Sequence, residues 1–398
     1  MITGHDLEGP GLDAGAGSVD EVLHDLCDAL FASLPRSDQR GRGLDYLHGL
    51  IHARGRKSIR NIASLFGGRA AEQRLHHFVC GSTWRWDPMR AALAGYVAAV
   101  EPPAAWVVRP LVIPKTGENS VGVERDASPA LYAQRAVGVW LASERLACPV
   151  NWRLLLSGVW LGDPVRRAQA GIPAGACPES MEMCAVQASV RVARGWGLTA
   201  RPVVVDVPEV DTLAVLGRLR TAGLRRLLVR VDGGLRLAAA DAALPVRSDR
   251  YRSAGEIMRA AAPLRRPYPW RAPGVSPGGR GGLLAAVRVR VPAASLGAGA
   301  AGRHGDLLLL GLAGPGEQWP GELWLTDSVS SAPADLARLT QLVRRVSRDA
   351  VEISEQVGIR DFVGRSFTGW HRHMTLASAA HAVQALARPR SGQPGAVS

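Results

Sequence analysis

The stretch Trp106–Glu124, WVVRPLVIPKTGENSVGVE, constrains the fold more than any other. Val107, Val108, Leu111, Val112 and Ile113 form an apolar, β-branched run. Pro114 to Asn119 supplies turn chemistry, and Val121 and Val123 then alternate with small or polar neighbours. The spacing predicts two strands joined by a turn, forming a central hairpin.

Helices are expected before this stretch. Val22, Leu23, Leu26, Leu30 and Leu34 have helical spacing, as do Leu44, Leu47, Leu50 and Ile51. Ser58 is an N-cap candidate for a helix with Ile59, Ile62 and Phe66 on one face, and Gly67 stops it. A helix over Ala70–Val79 follows, so the pair fits a DNA-binding helix-turn-helix or a generic helical hairpin. Asp87-Pro88 starts another helix, reaching Val100.

Beyond Glu101-Pro102-Pro103 the pattern turns to strands: Trp106–Ile113, Ser120–Glu124 and Ala136–Ser143. Asn151–Pro173 is expected to be loop-like and Glu179–Trp196 helical. A buried strand Pro202–Asp206, a helix Leu213–Ala222 and a strand Arg226–Val231 complete a mixed α/β pattern. From Asp232 to Pro320 the chain has little helix signal, much Gly and Pro, and strands at Leu284–Val291 and Leu307–Leu312. A short strand Glu322–Thr326 and helices over Asp335–Val357 and Thr368–Ala387 close the chain.

With 398 residues and 47% hydrophobic content, the chain can bury a large core. No apolar run is long enough to span a membrane, and no secretory leader is expected. Five scattered cysteines without CxxC pairing fit a reducing cytoplasm rather than a disulfide framework or zinc site. The net charge is +13, and Lys57 and Lys115 are the only lysines among the basic residues. That charge favours a polyanionic partner, nucleic acid being the commonest. It is unevenly spread. Residues up to Pro35 hold seven acids and no Lys or Arg, whereas Arg36–Arg74 holds nine basic residues against three acids. Arg252–Arg303 holds nine arginines and one acid, Glu256.

A set of ordered motifs resembles an insertion-sequence transposase of the DDE superfamily, the DDE superfamily endonuclease type. They are the Asn61–Trp86 block with Leu75-His76-His77-Phe78, then Pro114-Lys115-Thr116-Gly117 with Ser120-Val121-Gly122-Val123. Asn151-Trp152-Arg153-Leu154, Trp160, Asp163-Pro164 and Arg166-Arg167 come next. Val204-Val205-Asp206, Gly364-Arg365-Ser366 and Gly369-Trp370-His371-Arg372-His373 complete the series. The resemblance implies an α/β fold: an RNase H-like mixed-sheet core with an N-terminal helical DNA-binding domain and a β-rich insertion. The domains expected are a disordered tail 1–18, a helical DNA-binding domain 19–101, core 102–232, basic insertion 233–320, core helices 321–387 and a disordered tail 388–398.

Such cores place three carboxylates around two magnesium ions for phosphodiester chemistry. Carried over residue by residue, the set is incomplete. Arg109-Pro110 stand where the family has Asp-Asp, Asp206 keeps the second acid, and Ser347 stands at the glutamate. Ser354 takes a helix lysine's place, and Glu209-Val210 replace a Tyr-Gly. Asp349, Glu352 and Glu355 point away from Ser347 or lie too far along the helix to substitute. Arg109 is instead expected to pair with Asp206.

Two readings remain: a non-catalytic DNA-binding protein, regulatory or relic, needing no cofactor, and an active transposase using magnesium. Double-stranded DNA is the expected partner, self-association into a homodimer stays open, and the location expected is cytoplasmic, at the nucleoid. The expected DNA contacts are Arg54, Arg56, Lys57, Arg60, Arg69, Arg74, Lys115, Arg265, Arg266 and Arg365. His76-His77 and His371-x-His373 have no Cys or acid at ligand spacing, so they read as surface or helix-packing histidines rather than metal ligands. Trp84, Trp86 and Trp370 suit base stacking or core anchoring.

Overall fold

Among the described residues, five α-helices precede the sheet. The computed structural model describes residues 18–125, 132–208, 210–241, 244, 251–269, 281–291 and 306–388. Expectations for 1–17, 389–398 and Glu209 lie outside the described residues. Helix α1 (Val19–Phe31) opens on a capping box between Ser18 and Glu21 and buries Leu23, Leu26 and Leu30. Helix α2 (Ser37–His52) buries Tyr46, Leu47 and Leu50. Leu44, expected on the inner stripe, is 39% exposed. The inner face runs through Gly43 instead, where an added Cβ would stand 2.5 Å from the Phe31 ring. Ser58 caps α3 (Ile59–Ala63), and Gly67, at φ 94°, ends the 3-10 turn that follows. Helix α4 (Arg69–His76) runs into a π-turn, and α5 (Trp86–Val100) leads to the sheet.

Strand β1 (Ala105–Lys115) is the axis of the sheet. Next come β2 (Val123–Arg125), β3 (Tyr132–Ala142) and β4 (Ala147–Leu154), then α6 (Gly158–Gly162), α7 (Pro164–Ala170) and α8 (Met181–Gly195). Strand β5 (Val203–Val205), α9 (Thr212–Thr221), β6 (Leu227–Arg230), β7 (Arg236–Ala239), β8 (Tyr251–Ser253) and α10 (Ala254–Ala260) follow. The chain ends through β9 (Arg266–Tyr268), β10 (Gly282–Arg290), β11 (Leu307–Ala313), β12 (Glu322–Thr326), α11 (Pro333–Asp349) and α12 (Phe367–Leu386). One mixed sheet runs β2-β3-β1-β5-β6-β12-β11-β10-β7-β8, with β4 on β3 and β9 on β10. Pairing is parallel for β1–β5 and β5–β6 and antiparallel elsewhere.

Three expectations are corrected. The Trp106–Glu124 stretch is not a hairpin: β1 pairs with β3 along its whole length and with β5 on the other side. Strand β2 pairs with β3, opposite Tyr132–Gln134, and not with β1. Asn151–Leu154 is strand, and α6 and α7 occupy what looked like loop. Strand β4 is buried at almost every position, so it lacks the alternation that marks a half-exposed strand. The Gly- and Pro-rich segment also holds a helix, α10, which carries its own capping box from Ser253 to Glu256.

Pro110 and Pro114 fit inside β1 for a geometric reason. Trp106 N donates to Pro202 O and Asp206 N donates to Val108 O, so even-numbered backbone groups face β5. Strand β5 pairs only as far as Val108, so neither proline removes a ladder hydrogen bond.

Helix α12 fills the centre of the molecule, against β4 on one side and α1, α2 and α5 on the other. It is buried on every face from Gly369 to Val383. Its histidine, arginine, serine and threonine side chains find partners inside the fold, whereas the Trp370 indole N–H has none among the described residues. His373 lies 2.9 Å from both Tyr46 Oη and Gly358 O. His381 lies 2.8 Å from Ser354 Oγ and 2.7 Å from Ala147 O. Arg372 donates to the carbonyls of Val79, Ser82 and Trp84, tying the π-turn to the core.

Candidate functional site

The parallel ladder between β1 and β5 pairs Val108 with Val205. It therefore sets Arg109, midway along β1, beside Asp206, the residue that follows the end of β5. Arg109 Nε lies 3.2 Å from Asp206 Oδ2. Strand β6 is parallel to β5 and ends in Arg230, whose Nη1 donates to Asp206 Oδ1 at 3.0 Å. From α11, Ser347 Oγ accepts a hydrogen bond from Arg109 Nη1 and donates to Val343 O at 2.9 Å. Three positions far apart in sequence, 109, 206 and 347, thus meet at one point, and the expected Arg109–Asp206 pair is present. The Asp206 side chain is 7% exposed, beneath Arg109 at 30% and Arg230 at 43%.

Sequence reasoning missed Arg230. The signal was available: strand 226–231 follows the Asp206 strand through a helix, so a right-handed crossover places its last residue beside the acid.

A two-metal centre needs several anionic oxygens converging on two cations. Here one carboxylate sits between two guanidiniums, with a hydroxyl as the fourth group. The residues at this position do not fit magnesium. Nor do nearby acids supply it. Asp349 is buried, accepts from Ala147 N at 2.8 Å, and lies 3.7 Å from Arg345 and 3.6 Å from Arg348. Burial raises its carboxyl above the usual range despite those partners. Glu352 pairs with Arg388 at 3.0 Å and Glu355 with Arg360 at 3.4 Å. Among the described residues, no three His, Cys, Asp or Glu side chains group as metal ligands.

The DNA-contact candidates divide into two classes. Arg54, Arg56, Arg60, Arg69 and Arg74 are exposed on the helical region, as are Arg265, Arg266 and Arg365 elsewhere. Arg56 lies 3.9 Å from Asp361, and Arg365 donates to Asn119 Oδ1 at 3.3 Å. Arg265 sits 5.6 Å above the Trp319 ring. Lys57 and Lys115 are corrections: they are 6% and 9% exposed. Lys57 Nζ donates to Ala53 O, and its backbone N–H binds Asp361 Oδ2 at 2.7 Å. Lys115 Nζ donates to Arg360 O at 3.2 Å and Phe362 O at 2.6 Å, and burial pulls its pKa down to about 8. Both ammonium groups are engaged by backbone carbonyls of the fold instead of standing free at the surface.

The aromatic and histidine candidates settle similarly. Trp84 donates Nε1–H to Phe78 O at 2.8 Å, with Arg372 5.0 Å over its ring, and Trp370 is fully buried. Trp86 stacks on His371 at 4.7 Å. These three tryptophans anchor the interior. His371 and His373 are buried, and burial lowers both pKa values, that of His373 to about 4. His76 and His77 are exposed.

No helix among the described residues is long and apolar enough to cross a membrane. No curated protein matches the chain. A family model described as DDE superfamily endonuclease matches residues 29–290, well over half of the chain. The matched span holds the helical region from within α1 and the strands that carry Arg109, Asp206 and Arg230; Ser347 lies beyond it. With its mixed sheet, its convergent centre and this match, the chain belongs to the DDE superfamily endonuclease family.

Proposed function

We propose that this family member binds duplex DNA without cutting it, as a regulatory protein or as an inactive descendant of a transposase. One observation carries the proposal: two arginines and a serine surround Asp206, the one carboxylate at the centre among the described residues. A guanidinium repels a divalent cation, and Asp206 already has two positive partners. Phosphodiester hydrolysis by the two-metal route has no residues here to support it. Binding rests on the family's chemistry and on the exposed arginines of the helical region, which suit phosphate contacts. A second copy of the chain is compatible with this role, as is a location at the nucleoid.

Mapping bound sites across the native host genome tests the regulatory role. Discrete peaks at promoters, with intact DNA beneath them, are the expected outcome. Enrichment at the ends of a mobile element, with strand breaks there, would overturn it.

A further inference from the structure

We propose that Arg109 and Arg230 hold a DNA backbone phosphate at the position where the fold would otherwise place metal ions. The centre then grips DNA without any divalent cation. This deepens the DNA-binding reading and rests on it.

Charge gives the first argument. Three carboxylates with two divalent ions sum to +1. Asp206 with Arg109 and Arg230 also sums to +1, so the centre keeps the sign that draws in a phosphate. Geometry gives the second. The carboxylate lies at the floor, 7% exposed, while Arg109 and Arg230 stand at the mouth, 30% and 43% exposed. Asp206 and Arg230 sit at the carboxyl ends of the parallel strands β5 and β6, where open α/β sheets bind ligands, and Arg109, midway along β1, stands just past the point where β5 stops pairing with it.

Donor accounting gives the third. Each guanidinium carries five N–H groups in a planar fork that matches phosphate oxygens. Arg109 donates Nη1 to Ser347 Oγ and makes only an ion pair with Asp206 through Nε, which donates no hydrogen bond; Arg230 donates Nη1 to Asp206 Oδ1. Among the described residues, Nη2 of each has no partner. The carboxylate and the serine hydroxyl also hold Arg109 in place before DNA arrives, which lowers the entropy cost of binding. Arg230 is steadied by Asp206 and by the Trp324 ring, 5.9 Å from its guanidinium carbon.

The test is fluorescence anisotropy of the full chain with a labelled duplex of about 30 base pairs, over a salt series, in EDTA and in magnesium. Wild-type affinity should agree within about twofold between EDTA and magnesium. Arg230→Gln should weaken binding on the order of tenfold and make the log–log salt slope shallower by about 1. Arg230→Lys, which keeps the charge and loses the fork, should hold the wild-type slope and weaken binding only about threefold. It serves as the test should the glutamine variant fail to fold; wild-type affinity in Arg230→Lys would then overturn the clamp. Arg60→Gln on the helical region is the control. If Arg60→Gln weakens binding while Arg230→Gln matches wild type in affinity and slope, the clamp is wrong and the DNA-binding reading stands. Binding that vanishes in EDTA overturns the clamp as well. A wild-type chain that does not bind duplex at all overturns both.

Discussion

Asp206 is held in a way that separates this chain from a working two-metal centre. Arg109 and Arg230 approach it from two strands, and Ser347 orients Arg109 from a helix. Restoring the acids alone should therefore fail. Arg109→Asp with Ser347→Glu leaves Arg230 on Asp206, and this double variant is expected to stay inert. Adding Arg230→Gln frees the carboxylate, and the triple variant should gain divalent-dependent nicking of supercoiled plasmid. A folded, DNA-bound triple variant without nicking would show that more than these side chains has been lost. The convergence of 109, 206 and 347 was legible in the sequence because motif order carried the register. The third partner, Arg230, depended on a strand crossover that no local pattern reports. The two lysines were misleading for a similar reason: charge is visible in sequence, but the carbonyls of Arg360 and Phe362 that claim Lys115 lie about 245 residues away.

At the scale of elements, local signals served well where they act locally. Ser58 caps a helix as its type suggests, and β12 spans the residues that its pattern indicates. Pairing was not legible, since a short β2 can join either β1 or β3 and its own pattern does not distinguish them. Helix α12 was legible as a helix but not as the buried centre. A helix buried on all sides shows no apolar stripe, and Gly369-Trp370-His371-Arg372-His373 looks like a surface. Its histidines give a measurable consequence. His373 and His381 are buried and have pKa values lowered from 6.5 to about 4. Between pH 6.5 and 4 the unfolded chain binds protons that the folded chain refuses, so stability present above pH 6.5 is lost as pH falls through 4. Each histidine is expected to cost about 3 kcal/mol across that window. Calorimetry from pH 7 to 4 should show a steep fall in Tm, and His381→Gln should flatten part of it. Equal slopes in wild type and variant would refute the burial of a neutral imidazole.

The whole molecule joins a helical region to a sheet that runs from β2 to β8 through the Asp206 centre. The net charge of +13 is carried almost entirely by arginine, and eight of the ten expected contacts stay exposed after folding. If that set neutralises phosphates, affinity for duplex DNA should fall about 10³- to 10⁵-fold between 50 and 200 mM salt. Affinity that stays constant over that range would remove the basic surface from the account. The most direct measurement of the central claim is a strand-break assay. Wild-type protein is held on supercoiled plasmid at saturating concentration with magnesium or manganese, and nicked circles are scored against an Asp206→Asn control. The expected result is bound plasmid with no nicking above that control. Divalent-dependent nicking by wild type that Asp206→Asn abolishes would contradict it.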